Sequence, residues 1–200
     1  MMATTHALIG VVLALVVAPD GGLLPVAAAG LGGLFPDFDL YVAHRKTLHF
    51  PVYFSLAAFV AAAVAALVAS PVALAVALFL AAAAIHSVMD IFGGGLELKP
   101  WEATSDRAVY DHFNGRWLAP KRWIRYDGAP EDFLLGAVFG IPALLVLSGT
   151  AQTVVALALA VSAAYSLLRK ALVEVAERLV GTAPPELLVY VPERFVEDFR

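Results

Sequence analysis

The chain has 200 residues, 61% of them hydrophobic and only 15% charged, with a formal net charge of -4 and a mean hydropathy of +0.82. Soluble domains run at about 45–50% apolar and about 25% charged, so this composition argues against a water-soluble globule and excludes disorder. The acidic balance gives no electrostatic signal for nucleic acid, and with no cysteine any metal must be held by His, carboxylate or backbone groups.

A bilayer-spanning helix takes about 20 mostly apolar residues. In chain order, segments 7–18 and 23–35 are short for that length, and whether they cross fully is open. Segments 52–69, 72–92, 133–148 and 151–168 qualify or nearly so. Met1 to His6 lacks the Lys or Arg of a signal peptide's basic region, so segment 7–18 reads as a retained helix. Ala18-Pro19-Asp20-Gly21-Gly22, Ser70-Pro71 and Gly149-Thr150 are tight turns built of helix breakers, and none carries a cation. The other connections, 36–51, 93–132 and the tail after Leu168, hold all thirteen Lys and Arg residues. Three hairpins whose tips face one way put every cation on the opposite side, which the positive-inside rule makes cytoplasmic.

The expected fold is therefore all-α: a polytopic helical bundle of about four to six segments in the inner or plasma membrane. Residues 1–170 would form the membrane-embedded domain, including the long connection 93–132. Within it, Trp101, Trp117 and Trp123 with Tyr110, Phe113 and Tyr126 alternate with Arg and Lys. Such rings suit the headgroup level, either as an ordered interfacial loop or as the wall of a site. Residues 171–200 would be a cytoplasmic region, an amphipathic helix over 171–180 followed by a polar tail broken at Ala183-Pro184-Pro185.

The five histidines, His6, His44, His49, His86 and His112, all fall near the predicted cytoplasmic face, as do Asp37 and Asp39. His86 and Asp90 lie four residues apart on one helical face and can grip one ion. An Asp in the last helical turn opposes the helix dipole, and a charge near hydrocarbon is costly; a bound cation would reverse both penalties. Pro36-Asp37-Phe38-Asp39 on its own suits a turn or helix cap, and His44 and His49 suit interfacial positions. Gathered together, imidazoles and carboxylates are the ligands of zinc, manganese or iron where sulfur is missing.

The order Thr5-His6-Ala-Leu-Ile-Gly10, Gly-Gly-Leu-Phe-Pro36-Asp37-Phe-Asp39, His44-Arg45 through His49, and His86-Ser-Val-Met-Asp90 resembles the YdjM-like family of membrane-bound predicted metal-dependent hydrolases, some of them LexA-regulated inner-membrane proteins. The likeness covers roughly residues 3–102, with Gly93-Gly94-Gly95 and Lys99-Pro100-Trp101 echoing a later family segment. Here Thr47 is separated from His49 by Leu48, where the family has Thr directly before its second His, and this leaves open whether His44 or His49 is the ligand. The order is more distantly similar to zinc-dependent phospholipase C and the single-strand nucleases of its fold. That likeness implies Asp37 or Asp39, His49, His86 and Asp90 on one zinc, with His6 joining Asp90 on a second. No third site is expected, since only His112 with Glu97 or Glu102 is available for it.

The implied activity is hydrolysis of a phosphoester, such as a phospholipid headgroup, by a metal-activated water at the cytoplasmic face. One or two zinc ions would be held among His6, Asp37, Asp39, His44, His49, His86 and Asp90, with Asp37 or Asp39 as general base and Arg45 or Lys46 steadying the phosphate. The alternative is a non-enzymatic protein that binds or moves a divalent cation. Polar residues near mid-span would favour that alternative, and the spans have almost none. Haem held by His6 and His86 would leave the acids without a role.

Overall fold

A computed structural model describes residues 1–184 and 188–189. Its architecture is carried by α1 (Ala3–Val17), α2 (Leu23–Leu34), α3 (Pro51–Val68), α4 (Pro71–Met89), α5 (Pro130–Val146) and α6 (Gly149–Thr182). Pro51, Pro71 and Pro130 each occupy the first turn of a helix, where the missing N–H costs nothing and the fixed φ is already helical. Each hairpin tip contains one residue with positive φ: Gly22 at 72°, Ala69 at 51° and Gly149 at 60°.

Leu15, Leu74 and Leu147, one beside each tip, pack against the same buried cluster of Ala14, Val26, Ala29, Leu78 and Ala82. The three tips therefore gather at one end. At the other end the Met1 amine meets Asp90, and Thr5 meets Asp132, so the start of α1, the end of α4 and the start of α5 are joined. Helix α1 packs against α2, α4, α5 and α6, and α4 packs against α2 and α3. Consecutive glycines let α2 sit between two neighbours: a Cβ at Gly32 would overlap the Phe79 backbone of α4, and one at Gly33 the His6 carbonyl of α1.

Among the described residues, four helical stretches are long and apolar enough to cross a membrane: Leu23–Leu40, Pro51–Val68, Pro71–Phe92 and Gly149–Thr182. The second expected segment gains length because a 3-10 helix, Phe35–Tyr41, continues α2 without a break. Helix α5 falls short at 17 residues, with Glu131 and Asp132 in its first turn. Only 11% of the α3 and α6 stretches is buried, against 39% and 44% for those of α2 and α4, so α3 and α6 stand at the periphery.

Two elements differ from the sequence expectation. The separate helix expected over 171–180 is part of α6, which runs unbroken to Thr182 because nothing between Leu168 and Ala171 breaks a helix. The tail beyond lies largely outside the described residues. The fold is also not purely helical: β1 (Val109–Asp111) and β2 (Arg116–Leu118) form an antiparallel hairpin with Asp111 opposite Arg116. Its turn holds Gly115 at a φ of 64°, and the Asp111 carboxylate accepts hydrogen bonds from the Phe113 and Asn114 amides and from Asn114 Nδ2. Asn114-Gly115 is a hairpin signal, flanked here by strands of only three residues each. Tyr110 N–H donates to the Arg45 carbonyl at 2.9 Å, so the hairpin braces the segment that carries Arg45.

Candidate metal centre

Four side chains from three successive elements meet at the end of the bundle opposite the tips. Asp37 comes from the 3-10 helix after α2, His49 from the residues before α3, and His86 and Asp90 from the last turn of α4 and the 3-10 turn (Asp90–Phe92) that ends it. One ligand atom from each lies within 4.8 Å of the other three, an arrangement that could hold a metal ion. His49, His86 and Asp90 are fully buried, while the Asp37 side chain keeps 21% of its exposure.

The ring nitrogens carry the argument. His49 Nδ1 sits 2.9 Å from Asp39 Oδ2, and His86 Nδ1 sits 2.6 Å from the Gly33 carbonyl. A carbonyl can only accept, so His86 Nδ1 carries a proton, and the neutral form of the ring would present a lone pair at Nε2. Asp39 imposes the same tautomer on His49. Both Nε2 atoms are buried without a well-formed hydrogen bond. His49 Nε2 faces Asp37 Oδ1 at 3.9 Å and Asp90 Oδ2 at 3.4 Å. His86 Nε2 faces the same two oxygens at 3.4 and 3.6 Å. Ligand atoms bound at about 2.1 Å to a tetrahedral ion stand about 3.4 Å apart, so these separations suit two nitrogens and two oxygens converging on one ion. Buried orphan nitrogens are otherwise costly.

The remaining expected residues take other places. Asp39 is buried but outside the group of four: its oxygens accept from His44 Nδ1, His49 Nδ1 and the amides of Arg45, Lys46 and Leu48. A carboxylate so fully engaged orients a ligand rather than binding the ion itself. His44 stands on the far oxygen of Asp39 at 3.0 Å and is 31% exposed, so of the two candidate histidines it is His49 that joins the four. His6 stacks on His86 with ring centroids 3.7 Å apart, and its Nε2 is 3.1 Å from Asp90 Oδ1, the oxygen that also meets the Met1 amine at 2.6 Å. Arg45 is buried, with Nε 3.2 Å from Asp90 Oδ2 and Nη1 donating to the Gly94 carbonyl at 2.7 Å. Lys46 lies over the Tyr110 ring instead. His112 meets the Lys46 carbonyl and packs on Phe50 and Tyr110, away from the four.

A cavity of about 770 Å³ reaches Asp37, His44 and Arg45 from the side of α6, where it touches Tyr165 and Arg169. Tyr165 donates to Asp127 Oδ2 at 2.5 Å, and Arg169 holds both Asp127 oxygens at 2.9 and 3.2 Å. Neither this trio nor the Gly33 carbonyl was singled out from the sequence. The trio spans 38 residues or more of chain, and a backbone carbonyl leaves no mark in composition. Comparison with known proteins adds no relative: no protein-family model, curated protein or solved structure matches the chain.

Proposed function

We propose that this protein is a membrane-embedded, metal-dependent hydrolase that acts on a phosphoester at the cytoplasmic face of the inner or plasma membrane, as the resemblance to the YdjM-like family implies. The observation that carries the reading is the pair of buried, unbonded Nε2 atoms on His49 and His86, facing Asp37 and Asp90 at ligand spacing. Two imidazoles and two carboxylates with no sulfur suit zinc. Held by His49, His86 and Asp90, with Asp37 able to give up its place to a water, the ion would supply Lewis acidity and an acidified water. The chain supplies the rest. Asp39 and the Gly33 carbonyl orient the two rings. Arg45, held by Asp90 and Gly94 at the cavity's inner end, offers positive charge to a phosphate. Asp37 is the member of the four that opens to the cavity, which suits it to accept the proton of an attacking water.

The positive-inside rule supports the sidedness, since the three tips carry no Lys or Arg. Purified protein in detergent should carry a transition metal, lost in Asp90→Ala, together with turnover of a phosphodiester or phospholipid. Equal, negligible metal in both proteins would overturn the reading. Metal lost without any turnover to lose would favour a cation-binding protein instead.

A further inference from the structure

The cavity that reaches Asp37 has walls of two chemical kinds. Met1, Met2 and Thr4 at the start of α1 line it, together with Leu40, at the end of the Leu23–Leu40 stretch, and Val161 on α6. Helices α2 and α6 both pack on α1, and the cavity takes lining from all three. Leu40 and Val161 are 46% and 57% exposed. Both lie in stretches apolar and long enough to cross a bilayer, so this part of the lining is hydrocarbon-like. Another part is polar, with Asp37, His44 and Arg45. A lining that joins exposed apolar side chains to charged ones matches an amphiphile. Arg169 on the same lining is paired with Asp127, away from the four ligands, whereas Arg45 is paired with Asp90 and so stands beside them.

We infer that the cavity admits the acyl chain of a membrane-resident lipid against Leu40 and Val161, with a phosphate-bearing headgroup directed to Asp37 and Arg45. The headgroup assignment rests on the hydrolase reading above; the route for the chain rests on the exposed apolar side chains of Leu40 and Val161 in the cavity lining. A volume of about 770 Å³ falls within the range of about 300–1,000 Å³ usual for ligand clefts.

The test uses the full chain in phosphatidylcholine nanodiscs doped with a phosphatidic acid that bears a diazirine in one acyl chain. After illumination, label should concentrate on the residues around Leu40 and Val161. Val161→Trp and Leu40→Trp, which enlarge these two side chains of the lining, should each cut that labelling about tenfold and lower the ratio of lipid to soluble aryl-phosphodiester turnover by a similar factor. Leu67→Trp, at a position 87% exposed on α3 and far from the cavity, should leave the labelling unchanged. Label spread over α3 and α6 in proportion to exposure would overturn the inference, as would wild-type labelling of this part of the lining in both tryptophan variants. Failure of the hydrolase reading would appear separately, as absence of bound metal and of all turnover with the labelling pattern intact.

Discussion

Two buried carboxylates at the same end of the bundle are treated very differently. Asp132, at the start of α5, accepts from the Met2 and Gly128 amides on one oxygen and from the Thr5 hydroxyl on the other. Every donor around it is a neutral backbone or hydroxyl group, and all of them are satisfied. Asp90, at the end of α4, is surrounded instead by the Met1 amine, Arg45, His6, His49 and His86, four of whose nitrogens (His6 Nδ1, Arg45 Nε, His49 Nε2 and His86 Nε2) make no hydrogen bond. Burial alone does not distinguish a structural carboxylate from a ligand. The unfinished bonding around it does, because a folded chain tolerates orphaned buried nitrogens only where something else completes them.

That contrast predicts opposite outcomes for the same substitution. Asp90→Ala should reduce bound metal to background and turnover by about a thousandfold or more, read by elemental analysis and phosphodiester kinetics. Asp132→Ala should leave metal stoichiometry intact in the folded protein but lower stability by about 3 kcal/mol, because three donors lose their acceptor; thermal unfolding in detergent measures it. Metal loss in Asp132→Ala comparable to that in Asp90→Ala would erase the distinction. Asp39→Asn tests the tier between them: with His49 no longer held by a carboxylate, metal affinity should fall about 10–100-fold in a competition titration while stoichiometry at saturation stays the same. Gly33→Ala should cost about 1–3 kcal/mol, because the added methyl meets the His6 carbonyl and must push α1 from α2. The smallest effect is expected of His44→Ala, with metal affinity within about threefold of wild type, since this half-buried ring touches Asp39 from outside the four. A loss as large as that of His49→Ala would move His44 into the ligand set.

The hairpin tips, the apolar stretches and the end at which His and Asp residues gather can all be read along the chain, because each depends on local composition. His86 and Asp90 are also readable as a pair, since a helix places positions four apart on one face. The division of labour between Asp37 and Asp39 is not: the two lie in one short 3-10 helix, and only the fold of residues 44–49 around Asp39 turns it into a support. The choice between His44 and His49 follows from the same bend. The β-hairpin was marked by Asn114-Gly115 but hidden by strands of three residues each.

Sequence by itself determined that this chain forms apolar helices joined by turns without Lys or Arg at one end, with its imidazoles and cations near the other. The periodicity and hydropathy behind that result are properties of neighbouring residues. Tertiary structure alone decided which four side chains share a centre, which carboxylate and carbonyl fix their rings, and that a cavity runs from them to the flank of α6. Those relations join residues as far apart as Asp37 and Val161, and only the packing of α2 and α6 on α1 sets the distance between them.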